Sequence, residues 1–198
     1  MYIPIHFVET DQNILHAFIR ENSFATIVFQ TSNGLDAHHV PMLLGDDNVL
    51  RGHIAKANPI WKNYTNPIVL VIFQGENSYI SPSFYPSKQI DGKAVPTWNY
   101  SAVHANGEIV FIHDKDWLLD TVSKLSDFHE KNFAMPWKIA DAPPQYIAQM
   151  LHAIVGFEIK IETIEGKFKL SQNHSQSNRD GVRIGLEAIG KNPSNLVR

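Results

Sequence analysis

Between Phe24 and Ile54 the chain alternates extended runs with tight turns, and no other feature constrains its fold as strongly. Phe24–Thr31 is rich in β-branched and aromatic residues and ends at Ser32-Asn33-Gly34, a turn signature. Leu35–Leu44 returns as a strand, Gly45-Asp46-Asp47-Asn48 turns again, and Val49–Ile54 makes a third run. Turns this short join only antiparallel neighbours, so the segment predicts a meander. Ahead of it Thr10 or Asp11 caps a helix whose apolar stripe is Ile14, Leu15, Phe18 and Ile19.

The rest of the chain repeats the pattern. Ile68–Phe73 (IVLVIF) is apolar at every position, which predicts a strand buried on both faces. Gly75–Asn77 is expected to break it before Ser78–Ser81 continues, and Pro82–Ala94 reads as a lid or interface loop. Val95–His104 and Glu108–His113 predict a hairpin around Ala105-Asn106-Gly107. Asp114 caps a helix carrying Leu118, Val122 and Leu125 on one stripe, and Pro143-Pro144 starts another carrying Tyr146, Ile147, Met150, Leu151 and Ile154. Gly156–Ile164 alternates as a strand with one wet face, and Glu165-Gly166 turns it into Lys167–Leu170. After a last helix the tail reads as ragged. Helices are thus expected at about residues 11–21, 58–64, 115–130, 144–153 and 178–189. The resulting fold class is mainly β with peripheral helices, an antiparallel barrel in a single domain over residues 1–198.

Composition removes several function classes. A net charge of -3 gives no support to a broad DNA-binding face. With no cysteine there is no disulfide framework, thiolate metal site or cysteine nucleophile. Met1–Thr10 lacks a signal-peptide pattern and Ile68–Phe73 is too short to span a bilayer, so a cytoplasmic protein is expected. Ten histidines invite a metal, but His38 and His39 are strand neighbours pointing to opposite faces, and no ligand spacing such as HExxH occurs. No metal site is expected. No nucleophile elbow, Walker loop or GxGxxG is present either. Arg179 and Arg183 lie one turn apart on the last helix and read as a solvated face.

Two stretches carry chemistry. Val49–Trp61 (VLRGHIAKANPIW) brings Arg51 and His53 along a strand to Lys56, just before Asn58-Pro59 opens a short helix. An ammonium beside the unpaired amides of a helix start suits a phosphate. Val95–His104 (VPTWNYSAVH) places Thr97, Asn99 and Ser101 on one face, and Trp98, Tyr100 and His104 on the other. Core packing is the favoured reading of its aromatics. Lys169–Asn173 (KLSQN) ends a strand with three polar side chains in a row.

Taken in order, GHIAKANPIW, SYISPSFY, VPTWNYSAVHANG, MLHAIVGFEIKIETIEGKFKLSQN and NRDGVRIGL resemble the PaiB family, proteins described as FMN-binding negative transcriptional regulators. The resemblance runs from about Met1 to Leu186. It implies an FMN-binding split β-barrel related to the pyridoxamine-phosphate oxidase group, whose members are homodimers with FMN at the subunit interface. His53, Ala55 and Lys56 fall where that group grips the FMN phosphate, with Ala55 in place of a frequent serine. On that footing Lys56, with Arg51 and His53, is the candidate for the phosphate, and Trp98 or Tyr100 for the flavin bed. Asn99, Ser101, Gln172 and Asn173 are candidates for the polar edge of the ring. Negative regulation of transcription is then the expected function. An FMN-dependent oxidoreductase, with His53 or His104 as acid or base, and a cofactor-free dimeric module are the alternatives.

Overall fold

The computed structural model describes residues 1–64 and 67–198. Its strands are β1 (Val8–Glu9), β2 (Phe24–Thr31), β3 (Gly34–Pro41), β4 (Leu43–Leu44), β5 (Val49–Ala55), β6 (Ile68–Ile80), β7 (Thr97–Ile112) and β8 (Ile154–Lys169). Its helices are α1 (Gln12–Glu21), α2 (Ile60–Asn63), α3 (Lys88–Asp91), α4 (Lys115–Glu130), α5 (Pro144–His152) and α6 (Gln176–Ala188). The strands form one sheet in the order β3-β2-β6-β7-β8-β5-β4, with β1 on β8. The pairs β2–β3, β2–β6, β4–β5, β5–β8 and β1–β8 are antiparallel. The chain divides into two compact units. The first holds Met1–Phe18, Phe73–His104 and Glu165–Arg198, and the second Ile19–Ile72 and Ala105–Ile164.

The meander forms as its turns dictate. Thr31 pairs with Gly34, whose φ of 108° is open to glycine and strained for other residues. The Thr31 hydroxyl donates to the Gly34 carbonyl at 2.7 Å and closes the turn. Asn48 takes φ 62° to close the next. Caps agree with the sequence too: the Asp11 carboxylate accepts from Asn13 N–H at 2.8 Å, and Asp114 from Trp117 N–H at 2.8 Å.

Three expected turns are absent. β6 runs unbroken through Gly75, β7 through Ala105-Asn106-Gly107 and β8 through Glu165-Gly166. None of these glycines has positive φ. They serve close approach instead. A Cβ on Gly75 would lie 2.9 Å from the Phe18 ring, on Gly107 2.0 Å from the Lys160 carbonyl oxygen, and on Gly166 2.3 Å from Leu15.

Ile68–Phe73 also differs from expectation. Val69, Val71 and Phe73 are buried, but Ile68 is exposed and Leu70 and Ile72 are half-buried, so one face alone meets the core. The stripe on α5 is only partly covered: Tyr146 and Met150 are exposed, Ile147 and Leu151 are half-buried, and no residue of the helix is buried. The tail, by contrast, is fixed. Leu196 and Val197 join a small core with Ile80, Tyr85, Val182 and Leu186, and Arg198 pairs with Glu9 at 2.9 Å. The Pro82–Ala94 segment carries a 3-10 turn (Pro82–Phe84) and α3 rather than irregular loop throughout.

Candidate functional site

In the second unit β5 alternates as expected, with Leu50, Gly52 and Ile54 buried. Arg51 lies on the other face, and its guanidinium is already occupied. It holds Asp47 through two hydrogen bonds of 3.0 and 2.5 Å, and Glu158 at 2.7 Å. The pairing lowers the Asp47 carboxyl and raises the arginine further above its ordinary value. Arg51 therefore clamps the Asp47 turn to β8, with three of its five N–H donors and its charge committed to two carboxylates. His53 is half-buried on the same face, opposite Gly156. Trp117 of α4 closes over that glycine, 2.2 Å from where its Cβ would stand. Burial holds the His53 ring below its ordinary pKa, so it offers no fixed positive charge.

Lys56 differs from both. It is exposed, and its ammonium makes no hydrogen bond or ion pair among the described residues. The helix beside it is shorter than 58–64: α2 has four residues and begins at Ile60. Local amides there are engaged as well. Lys56 N–H donates to the Ala153 carbonyl at 2.8 Å, Asn58 N–H to Ala55, and Ile60 N–H to the Asn58 side chain at 3.0 Å. A four-residue helix with its first amide so engaged adds little for an anion here, and the charged group on offer is the lysine side chain.

In the first unit β7 turns its polar face inward. Asn99 and Ser101 are buried, whereas Trp98 is 53% exposed and Tyr100 half-buried, the reverse of the core-aromatic reading. Alternation shows that two faces exist but not which one meets the core. Trp98 meets Tyr79 edge-on at 6.2 Å, and the Lys167 ammonium sits 5.4 Å from the Tyr100 ring centroid. His104 is half-buried, and burial again lowers its pKa.

Asn99 anchors the loop beyond β8. Its amide N–H groups donate to the Ser171 hydroxyl and to the Leu196 carbonyl, each at 2.8 Å. Ser171 is buried at φ 64°, a left-handed conformation unusual for serine. The segment around it is stapled by Gln172, whose side chain accepts from Leu170 N–H at 2.7 Å and donates to the Phe168 carbonyl. Gln172 is thereby spent on shaping the loop, and neither it nor Ser101 reaches the cavity beside it.

That cavity, of about 310 Å³, lies wholly in the first unit. Asn99, Ser171 and Asn173 line it, together with Tyr85, Lys169 and His174, which sequence reasoning did not single out. Lys169 donates to the Thr97 hydroxyl and the Trp98 carbonyl, each at 2.5 Å. Burial, with Lys167 adding to it, lowers its pKa. His174 stacks on Tyr85 at 4.9 Å between centroids; burial and then Lys169 lower its pKa, while burial raises that of Tyr85. The Tyr85 hydroxyl and the Asn99 carbonyl oxygen are both buried without a protein partner. The one sequence signal for this convergence is that four of the quoted motifs contribute to its wall.

Solved structures named for a flavin are among those that share this arrangement of strands. The flavocytochrome Anf3 of Azotobacter vinelandii superposes with a TM-score of 0.64 at 12% identity, over 82% of this chain and 69% of its own. An FAD and heme binding protein from Mycobacterium smegmatis gives 0.61 at 13% identity, over 82% and 73%. The fold is therefore an antiparallel split barrel. The family model described as "Putative FMN-binding domain" matches residues 1–163. The protease synthase and sporulation protein PAI 2 of Bacillus subtilis is 36% identical over 181 residues, spanning 89% of this chain and 84% of the relative. The chain belongs to this FMN-binding domain family.

Proposed function

We propose that this chain binds FMN and acts as a negative regulator of transcription. The match of the FMN-binding family model over residues 1–163 carries the first half. The chemistry of the side chains suits the cofactor: Lys56 is an exposed, unengaged ammonium for a phosphate, and Trp98 an exposed indole for a flat ring. When bound, FMN supplies reversible two-electron chemistry; the chain supplies charge and an aromatic surface. Lys56→Ala is expected to lower FMN affinity at least tenfold, since one charge-assisted contact contributes about 1.5–3 kcal/mol. Visible absorption after dialysis of FMN-loaded protein reads this directly. Flavin bands retained in full by the variant would remove Lys56 from the phosphate.

Support for the regulatory half is the likeness to the Bacillus subtilis protein, whose name refers to protease synthase and sporulation. Direct DNA contact does not fit the charge. The net charge is -3, and the arginines of α6 are engaged, Arg183 with Asp180 at 2.9 Å and Arg179 with Gln176 at 2.5 Å. The regulatory effect then passes through a partner or a metabolite. Purified protein should leave promoter DNA unshifted even at low salt; a salt-dependent shift would establish direct binding instead.

A further inference from the structure

We infer that the cavity between β7 and the Ser171 loop binds a small organic oxyanion that also carries a hydroxyl or amino donor, a ligand separate from FMN. Its charge points to an anion. Lys93 and Lys169 line it, and among the described residues no aspartate or glutamate does. Two of the Lys169 ammonium hydrogens go to Thr97 and Trp98, which fixes its position and leaves the third to a ligand. Among the described residues no arginine lines the cavity, so recognition is by point charge rather than by a bidentate fork.

Two buried groups supply the rest of the specificity. Asn99 is 1% exposed and its carbonyl oxygen has no protein partner; both its amide hydrogens are committed, so it can only accept. Tyr85 is 4% exposed and its hydroxyl is also unpartnered. Both residues line the cavity, and a ligand bearing both a donor and an oxyanion would pair these two groups together once a small shift of the wall uncovers them. The wall is preorganised: Ser171 is held in a left-handed conformation by Asn99, and Gln172 staples the loop from behind. The space, about 310 Å³, admits a molecule the size of a hydroxycarboxylate or a triose phosphate.

Two sources share this chemistry, a free metabolite and the ribityl phosphate of FMN, and the test separates them. FMN-loaded protein is titrated calorimetrically with malate and with glycerol 3-phosphate. Saturable binding of at least one is expected. Lys169→Met should weaken it at least tenfold and Tyr85→Phe at least threefold, with the flavin absorption of both variants unchanged. Tyr85→Phe is the sharper probe, because it removes a hydroxyl that makes no hydrogen bond among the described residues; its unfolding midpoint should be unchanged or raised. Three results would each overturn the assignment: no saturable binding of either probe, unaltered affinity in both variants, or loss of flavin from Lys169→Met, which would give the cavity to FMN itself. Failure of FMN to bind at all would refute the proposed function and leave this titration, run on the flavin-free chain, just as decisive.

Discussion

Gly107→Ala should destabilise the protein by about 3 kcal/mol or more, although alanine is the smallest possible addition. The backbone does not oppose it: Gly107 lacks positive φ, and an alanine there would stabilise by about 0.4–1 kcal/mol through the unfolded chain. Space decides the sign. The new Cβ would stand 2.0 Å from the Lys160 carbonyl oxygen and 2.9 Å from its carbonyl carbon, both backbone atoms of β8. No rotamer change relieves a contact with a main chain, so β7 or β8 must shift where Ile109 and Ile159 are fully buried. Urea unfolding should show the midpoint falling with the slope unchanged. A midpoint within about 0.5 kcal/mol of the parent would mean that the two strands part more easily than this geometry implies.

The same glycine shows where sequence reasoning meets its limit. Asn106-Gly107 is the strongest short signal for a hairpin, yet β7 runs straight through it. A turn glycine and a close-approach glycine are the same letter; what separates them is a tertiary neighbour, here Lys160. Ser32-Asn33-Gly34 is legible as a turn because a local bond, Thr31 hydroxyl to Gly34 carbonyl, suffices to make it. The helix limits at Lys115–Glu130 and Pro144–His152 are legible for the same reason, since caps and prolines act within one turn. At the site, Lys56 is legible as a lysine after a strand, whereas the saturation of Arg51 depends on Glu158, far along the chain. The burial of Asn99 is hidden because alternation does not say which face is inside. Tyr85, Lys169 and His174 meet only through the fold, and no spacing among them announces a site.

α6 provides the second large effect, and here two opposing terms can be compared. Gly181 and Gly185 lie one turn apart on the face that meets the Pro82–Pro86 segment. Helix propensity alone favours alanine over glycine by about 1 kcal/mol at either position. At Gly181 a Cβ would lie 2.2 Å from the Phe84 carbonyl oxygen and 2.6 Å from Pro86 Cδ, atoms held by the chain itself. At Gly185 it would lie 2.3 Å from the Phe84 ring, which is half-buried and can turn aside. Gly181→Ala is therefore expected to cost about 2–3 kcal/mol net, and Gly185→Ala about 1 kcal/mol or less. The damage at Gly181 should also reach the cavity. Tyr85 comes directly after Phe84, packs with Val182 and Leu186 in the small core of the first unit, and stacks on His174. Pushing α6 away from Phe84 moves the wall that carries the unpartnered hydroxyl. Gly181→Ala should thus lose oxyanion binding along with stability, while Gly185→Ala keeps most of both. Equal unfolding midpoints for the two variants would show that α6 yields as a rigid body, and that the carbonyl contact at Gly181 does not set its position.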